Sequence, residues 1–410
     1  MILYSLGIKI YRFFISLAAL FNPKARAWVE GSKLHSVPED FRTKTPEKRR
    51  IWFHISSLGE YEQAKPVLAI LSQSHELVIT FFSPSGYEKC KVNPFTDQVF
   101  YLGIDSKSNA KRNIQRINAD LFVLVKYDFW LNHLNILNKI GTPVLLLSGL
   151  FRREQIFFKW YGGIFKNALR NMTQIFLQNE ASKTLLTQIG IDQTQVTGDT
   201  RIDSVEKNIV DAALLVPSGI QDYVGSDPCL ILGSAYEEET NWLSLALKNH
   251  HLKNWKVIIA PHDVSLSNVS KITSALDHPF QLYSEQQDTL DKEKILVVDS
   301  VGLLKQLYSL ADFAVIGGGF HKTVHNTLEP AAYSLPLIFG PNYKKFVETV
   351  QLVDSESAFS VTNSEEFLEK LQFLLSKTNR KMAGMKARQF IESNLGASEK
   401  FSSYILENEL

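Results

Sequence analysis

Residues 314–343, AVIGGGFHKTVHNTLEPAAYSLPLIFGPNY, form the stretch around which the rest of the chain is organised. Their pattern predicts a strand, a glycine turn, a polar loop, a short helix and a second strand. Gly317, Gly318 and Gly319 carry no Cβ, so the backbone can turn sharply there and approach a ligand closely. This order of elements is typical of nucleotide sites in α/β proteins.

The predicted helix in this stretch has features of an anion site at its start. Asn326 and Glu329 are spaced as in a capping box, Thr327 lies between them, and Pro330 suits the first turn. Unpaired N–H groups and a partial positive charge at a helix start attract phosphate, and Lys322 adds a cation nearby. Glu329 is placed to hold ribose hydroxyls. The alternative is a loop that only caps its own helix.

Short apolar runs alternate with amphipathic segments along most of the chain. Helices are predicted at 60–72, 237–249 and 364–394. The predicted strands are 51–55, 77–82, 98–102, 121–125, 143–147, 174–177 and 195–197, then 229–232, 255–260, 295–298, 313–316 and 336–340. This βα rhythm predicts an α/β protein with two doubly wound Rossmann-like domains facing across a cleft.

The rhythm also suggests domain limits. We expect an N-terminal segment at 1–48, a first Rossmann-like domain at 49–215 and a second at 225–385. Residues 386–410 are expected to form a C-terminal helix that packs back toward the hinge. The polar stretch 216–228, which carries proline and glycine, is the predicted linker.

Composition excludes several classes of protein. A net charge of +1 does not favour nucleic acid as a partner, and 45% hydrophobic residues is typical of a globular chain. Cys90 and Cys229 have neither metal-ligand spacing nor the pattern of a disulfide framework. Because no Asp-x-Asp pair and no His/Cys cluster falls on a predicted cleft loop, we expect no essential metal and no cofactor.

The N-terminus differs from the globular remainder. Residues 1–21 are mostly apolar but contain Lys9 and Arg12, and the uninterrupted run 13–21 is shorter than the roughly 20 residues that span a bilayer. The basic residues that follow are Lys24, Arg26, Lys33, Arg42, Lys44, Lys48, Arg49 and Arg50. We expect an anchor on an anionic membrane surface. The alternatives are a helix packed on the protein's own core and a cleavable signal peptide.

A second notable segment is HISSLGE at residues 54–60, where the first predicted strand ends. Ser57 and Glu60 fit a capping box, so Glu60 can be read as a helix cap alone. Its place at the carboxyl end of the first strand, however, is where a ligand meets such a sheet. Glu60 is therefore a candidate general base toward a hydroxyl group.

These segments resemble one glycosyltransferase family. The pattern GG…HN.LEPAA…P.I.GP…F, together with HxxSxGE and the following Glu62-Gln63-Ala64, is similar to the 3-deoxy-D-manno-octulosonic acid (Kdo) transferases. Members have the GT-B fold and move Kdo from CMP-Kdo onto lipid A precursors such as lipid IVA. The resemblance implies an inverting transferase of lipopolysaccharide biosynthesis on the cytoplasmic face of the inner membrane, with the acceptor side at 49–215 and the CMP-sugar donor side at 225–385.

The resemblance assigns roles on the acceptor side. The family's catalytic base falls on Glu60, with Glu62 as the fallback, and Ser57 and Gly59 lie beside it. Asp128, in KYDFWL at 126–131, matches the second of two family glutamates, but a lysine replaces the first. Arg152 is a candidate partner for sugar carboxylates or lipid phosphates, because its guanidinium pairs well with both.

The resemblance also assigns a donor site for CMP. Here the chain departs from the family at one point, since His262 and Asp263 stand where arginine and histidine are usual. The candidate donor residues are Ser234, Pro261, His262, Gly318, Gly319, Lys322, Asn326, Thr327 and Glu329.

Two other functions stay open on the sequence. One is another GT-B enzyme that uses a UDP-sugar, either a transferase or an epimerase, because fold alone does not separate these activities. The other is a membrane-bound nucleotide-binding protein without catalysis, in which substitution of Glu60 has no effect on any transfer.

Overall fold

A computed structural model describes residues 1–41, 47–126, 128–285 and 289–410, except for the side chains of 210–212. Arg42 and Lys44 of the basic run lie outside the described residues. The chain forms two compact units: the first holds Met1–Ser204 and Leu395–Leu410, and the second holds Val205–Asn394. The first unit thus contains both chain ends. The boundary between the units, at Ser204, precedes the predicted linker at 216–228. The linker stretch contains a helix, Ser218–Val224.

The first unit is built on a seven-stranded parallel sheet of order β3-β2-β1-β4-β5-β6-β7. Its strands are β1 Arg50–Ile55, β2 Glu76–Phe81, β3 Val99–Tyr101, β4 Leu121–Val125, β5 Val144–Gly149, β6 Gln174–Leu177 and β7 Thr194–Val196. Its helices are α1 Ile2–Ala18, α2 Pro23–Leu34, α3 Leu58–Leu71, α4 Pro84–Cys90, α5 Lys107–Ile117, α6 Leu131–Ile140, α7 Gly163–Arg170, α8 Glu180–Thr187 and, after the second unit, α18 Ala397–Glu407.

Continuous apolar runs form these strands because helices cover both faces of the sheet. Successive side chains of a strand point to opposite faces. Ile51, Phe53 and Ile55 accordingly belong to one apolar cluster, and Trp52 belongs to another with Phe122. All six residues of β1 are buried.

The order of the strands fixes where a ligand meets the first sheet. β1 pairs with β2 on one side and with β4 on the other. The winding direction therefore reverses between β1 and β4, and such switch points open a crevice at the carboxyl ends of the strands. Segments that follow β1 and β4 meet at this edge.

The second unit repeats the plan with the order β10-β11-β9-β8-β12-β13-β14. Its strands are β8 Cys229–Ala235, β9 Lys256–Pro261, β10 Phe280–Leu282, β11 Ile295–Val297, β12 Phe313–Ile316, β13 Leu337–Phe339 and β14 Ala358–Ser360. Its helices are α10 Ser218–Val224, α11 Glu237–Lys248, α12 Leu266–Ser274, α13 Leu304–Leu307, α14 Leu328–Ala332, α15 Val347–Asp354, α16 Ser364–Leu375 and α17 Lys377–Ser393, while α9 Thr200–Leu214 crosses the boundary between the units. The switch point lies between β8 and β12.

The predicted fold class, with two doubly wound Rossmann-like sheets, is confirmed. Two strands went unpredicted, β10 and β14, and each lies at an edge of the second sheet and has three residues. So short a segment gives little periodicity to detect.

The C-terminal segment belongs to the first unit through specific contacts. The Asp203 carboxylate accepts hydrogen bonds from the amides of Gly396 (2.8 Å) and Ser398 (2.7 Å), which stabilises the start of α18. The ring of Phe401 lies 4.7 Å from that of Phe176 on β6, centroid to centroid. The last helix therefore completes the core of the first sheet.

The N-terminal helix α1 has no fully buried residue. Its Ile8 and Ile15 pack against the apolar cluster of the first unit, whereas Leu3 and Phe13 are 84% and 65% exposed. No single helix in the described part of the chain is long and apolar enough to cross a membrane. The bent pair α1 and α2, at 118° to each other, satisfies the length and composition criteria together.

Candidate active site

Glu60 lies at the switch point of the first sheet, in the first turn of α3. Its Oε2 atom accepts hydrogen bonds from the amides of Ser56 (2.7 Å) and Ser57 (2.9 Å). The predicted capping contact is thus present. Its Oε1 atom accepts no hydrogen bond from any residue that the structure describes. One oxygen is fixed by the backbone, and the other is left for a further partner.

The surroundings of Glu60 favour its protonated form. The side chain is 8% exposed, and burial raises its pKa to about 7, with a further upward contribution from the carboxylate of Asp128. The ammonium of Lys126 and the two amide hydrogen bonds oppose this shift. A carboxyl with a pKa near neutrality can both take and release a proton at physiological pH.

The residues behind Glu60 form a neutral polar group. His54 Nδ1 lies 3.0 Å from Thr80 Oγ1, and its Nε2 lies 3.3 Å from Ser56 Oγ. Burial, with the neighbouring His133, lowers the pKa of His54 to about 3. Since His54 is neutral, it supplies no positive charge that would depress the pKa of Glu60.

Backbone strain occurs at the carboxyl ends of several strands. Lys126 follows β4 with φ 62°, Ser148 lies in β5 with φ 55°, and Ser234 lies in β8 with φ 52°. Left-handed backbone is uncommon for residues with a side chain, and it clusters at functional sites. The strained residues therefore lie at the carboxyl ends of the strands, where the candidate site residues of each unit are also found.

At the corresponding edge of the second unit, Tyr236 lies among three histidines. Its ring stacks on His262 at 3.8 Å between centroids with 12° between the planes, and lies 4.2 Å from His321. The Tyr236 hydroxyl is 3.1 Å from Nε2 of His325. Burial, with the neighbouring His262 and His321, lowers the pKa of His325. The cluster joins segments that follow β8, β9 and β12.

The glycines of this unit are required by packing within the chain. A Cβ on Gly317 would lie 2.0 Å from the carbonyl oxygen of Ser234, and one on Gly319 would lie 2.5 Å from the amide nitrogen of Gly340. Gly318 has φ +89°, and its amide donates to Oε1 of Glu239 at 2.9 Å. The close approach at Gly317 and Gly319 is thus between backbone and backbone, whereas we expected an approach to a ligand.

The helix after these glycines is shorter than the pattern suggests. α14 has five residues, and its N-cap is Thr327, so the predicted capping-box start at Asn326 is wrong by one residue. Asn326 Oδ1 instead accepts from the amide of Leu328 at 3.0 Å, which forms a local turn. The carboxylate of Glu329 lies near enough to the buried Tyr308 to contribute to the raised pKa of that phenol, after burial itself.

Comparison with known proteins finds similarity to one family of glycosyltransferases. Residues 34–204 match the family model described as 3-deoxy-D-manno-octulosonic-acid transferase (kdotransferase). The 3-deoxy-D-manno-octulosonic acid transferase of Chlamydia trachomatis serovar A is 27% identical over 403 residues, which cover 93% of this chain and 91% of that enzyme. The chain is thus similar to Kdo transferases over most of its length. This similarity supports a glycosyltransferase activity.

Two further proteins extend the comparison. A bifunctional glycosyltransferase/methyltransferase of Fusobacterium nucleatum is 26% identical over 396 residues, or 91% of this chain, and the chain spans only 57% of its length. The crystal structure of UDP-GlcNAc 2-epimerase from Neisseria meningitidis superposes with a TM-score of 0.64 at 14% identity, covering 87% of this chain and 100% of the epimerase. At that identity the likeness shows the GT-B-like fold alone.

The acceptor-side candidates follow three neighbouring strands. Ser57, Gly59 and Glu60 follow β1, Asp128 follows β4, and Arg152 follows β5. Glu60 and Asp128 are brought together, since the charge of Asp128 raises the pKa of Glu60. Arg152 bonds through its amide to Oε1 of Gln155 at 2.9 Å within its own loop.

The donor-side candidates lie at or after the carboxyl ends of β8, β9 and β12. Ser234 is the next-to-last residue of β8, at a register shift between Gly233 and Ala235, and Pro261 is the last residue of β9. His262 follows Pro261 within the aromatic cluster. The third group follows β12 and consists of Gly318, Gly319, Lys322, Asn326, Thr327 and Glu329. Lys322 is exposed, and Thr327 is buried with Oγ1 3.3 Å from Thr349 Oγ1.

Sequence reasoning missed two residues that connect the donor-side loops. Tyr236 stacks on His262 and reaches His325, and Glu239 binds the Gly318 amide. The available signal was spacing, because both residues follow β8 closely, as Glu60 follows β1. In the described ranges, no group of three or more His, Cys, Asp or Glu side chains is arranged to hold a metal ion.

Proposed function

We propose that this protein transfers Kdo from CMP-Kdo to a lipid A precursor of the lipid IVA type, with Glu60 as the general base. The observation that carries the proposal is the state of Glu60: it is buried at the switch point of the first sheet, bound by two amides through Oε2, and its Oε1 is unbonded among the described residues. This is the geometry that a base needs when a hydroxyl arrives.

The reaction requires one proton transfer and one displacement. Glu60 takes the proton from an acceptor hydroxyl while the hydroxyl oxygen forms a bond to the anomeric carbon of Kdo. The bond between that carbon and the phosphate oxygen breaks, and CMP leaves with the electron pair as an anion. Attack opposite to the leaving group inverts the anomeric configuration. No protein acid is needed, since the leaving phosphate is a stable anion.

The second unit supplies groups suited to CMP. His262 is fixed by stacking on Tyr236, and the exposed Lys322 lies in the loop after β12. A cation and oriented N–H donors stabilise phosphate charge in the transition state. Glu329, on α14, is proposed to hold the ribose hydroxyls, by analogy with acidic residues in dinucleotide-binding sites.

The N-terminus supports a site of action at an anionic membrane surface, the cytoplasmic face of the inner membrane. The outward residues of α1 are apolar, with Leu3 84% and Phe14 60% exposed. α1 and α2 border a cavity of about 1080 Å³ that Arg12, Arg26 and Lys33 help to line. Apolar insertion combined with basic residues favours binding to anionic lipid.

The proposal is tested with the purified full chain, CMP-Kdo and a tetra-acylated lipid A precursor. The product mass is expected to rise by one or more Kdo units. CMP, but not UDP, is expected to raise the melting temperature, because a ligand of the folded state stabilises it by mass action. Stabilisation by UDP alone, without Kdo transfer, would support a UDP-sugar enzyme instead.

A further inference from the structure

The first unit contains a second cavity close to Glu60, with a volume of about 340 Å³. Helix α1 forms one wall through Tyr4, Ile8 and Tyr11. Loops after β2, β3 and β4 form the rest, including Phe82, Ile104, Phe129 and Trp130. A volume of this size is at the lower end of the range for small-molecule sites.

The lining of this cavity is mainly aromatic and aliphatic, and it includes the hydroxyl-bearing Tyr4 and Tyr11 and two carboxylates, one of which is already paired. Asp105 accepts from the Tyr4 hydroxyl (2.7 Å), the Asn132 amide (2.8 Å) and the ring of His133 (2.5 Å). These contacts satisfy its buried charge. Asp128 is the other, and it follows β4 at the same sheet edge as Glu60. The cavity therefore has an apolar interior with an acidic group on the side of the proposed base.

A short series of contacts connects the lining to Glu60. The ring of Trp130 lies 5.3 Å from that of His54, centroid to centroid. His54 Nε2 is 3.3 Å from Ser56 Oγ, and the Ser56 amide donates to Glu60. Two residues, His54 and Ser56, therefore connect Trp130 in the cavity lining to Glu60.

The wall contributed by α1 suggests what enters the cavity. Tyr4, Ile8 and Tyr11 line the cavity, and Tyr11 is also 46% exposed. Ile10, which is 48% exposed, does not line it. One side of α1 is thus suited to a bilayer while the other borders the cavity. A lipid that leaves the bilayer beside α1 can keep its hydrocarbon covered while its head group reaches Glu60.

We propose that this cavity binds an acyl chain of the lipid acceptor and so places the sugar hydroxyl against Glu60. The inference rests on the proposed function, because it takes the acceptor to be an acylated sugar. It adds a specificity site formed jointly by the N-terminal helix and the loops after β2, β3 and β4. Each methylene that the cavity covers favours binding by removing apolar surface from water.

The activity test compares acylated and fully deacylated acceptors with matched variants of α1. Ile8→Trp fills the cavity, and Ile10→Trp adds the same bulk outside it. Ile8→Trp is expected to lower kcat/KM for the acylated acceptor about tenfold or more, as expected for two or more uncovered methylenes. It should leave transfer to the deacylated acceptor within about twofold. Ile10→Trp should change neither, and an equal effect of Ile8→Trp on both acceptors overturns the proposal.

A binding test on the wild-type chain separates this proposal from the proposed function. A twelve-carbon fatty amide with a terminal diazirine is photolysed with the protein in detergent, and labelled peptides are mapped by mass spectrometry. Labelling of Phe82, Ile104 or Phe129 is expected, with loss in Ile8→Trp. Labelling confined to exposed residues of α1 overturns the acyl site. If wild-type protein transfers to neither acceptor, the proposed function fails. The labelling pattern alone then shows whether the cavity binds an acyl chain.

Discussion

Glu60 and Glu239 occupy the same position in the two units but have different partners. Each is the third residue of the helix that follows the first strand of its sheet, α3 or α11. Glu60 accepts hydrogen bonds from the amides of Ser56 and Ser57, four and three positions earlier in the chain. Glu239 reaches Gly318, 79 residues away. Both are buried, and burial raises the pKa of both.

The difference shows how one structural position can serve chemistry or architecture. Local bonds hold Glu60 by one oxygen and leave Oε1 unbonded among described residues. Glu239 also uses one oxygen, and its buried Oε2 has no partner among those residues. Its bond is long-range, however, and ties the loop after β12 to α11. We propose that the first unit presents a base, whereas the second uses its glutamate to position other groups.

The largest expected effect separates these two glutamates by activity. Glu60→Gln is expected to lower kcat about 10²–10⁴-fold, the usual contribution of a general base, while leaving CMP affinity unchanged. Glu239→Gln is the matched control, since its amide oxygen can still accept from Gly318, and it should lose less than about tenfold. Initial rates of Kdo transfer measure both. Normal transfer by Glu60→Gln would remove Glu60 as the base.

The next prediction concerns the stability cost of Glu60. Its pKa is higher in the folded chain, about 7, than the ordinary 4.5, so the folded state loses stability as pH rises from about 4.5 to above 7. At pH 8 this loss is about 3 kcal/mol. Glu60→Gln cannot ionise and should recover much of it.

Urea unfolding at pH 8 and pH 5 checks this stability prediction. The free energy of unfolding of Glu60→Gln should exceed that of the wild type at pH 8, with a smaller excess at pH 5. An equal difference at both pH values would mean that ionisation of Glu60 is not the cause.

Two glycines, Gly59 in the first unit and Gly319 in the second, differ in how closely their surroundings pack. Gly319→Ala would place a Cβ 2.5 Å from the Gly340 amide nitrogen, and we expect a loss of about 2 kcal/mol in the free energy of unfolding. Gly59 has no heavy atom within 4 Å of the corresponding point, and Gly59→Ala in α3 should be neutral or stabilising by up to about 1 kcal/mol.

Thermal melting and transfer rates of both glycine variants show whether each glycine is required by the fold or by the reaction. If Gly59→Ala melts like the wild type but transfers slowly, Gly59 is required by the acceptor and not by the fold. If Gly319→Ala melts like the wild type, the backbone contact with Gly340 is less restrictive than its geometry indicates.

The smallest expected effect is on the donor side. Tyr236→Ala removes the ring that holds His262 and His321, and CMP affinity should fall about tenfold, since each ring pair contributes about 1 kcal/mol. Tyr236→Phe keeps stacking but loses the contact with His325, so its loss should be smaller. Calorimetric titration with CMP measures both, and equal losses would assign the effect to the hydroxyl.

The sequence predicted some parts of the site and missed others for identifiable reasons. The Ser57 to Glu60 capping contact was predictable because its partners lie four positions or fewer apart. The stacking of Tyr236 on His262 was not, because it joins the ends of β8 and β9, 26 positions apart in the sequence. The glycines at 317 and 319 were recognised, but the backbone segments that require them were not.

Periodicity in the chain determined two doubly wound α/β sheets, since helix and strand patterns are local properties of the sequence. Family motifs indicated the resemblance to Kdo transferases. Only the tertiary structure decided that Oε1 of Glu60 is left unbonded among described residues, that Glu239 bonds to Gly318, and that α1 borders a cavity beside Trp130. The physical reason is that burial, pKa and cavity shape depend on residues distant in sequence, which local patterns do not encode.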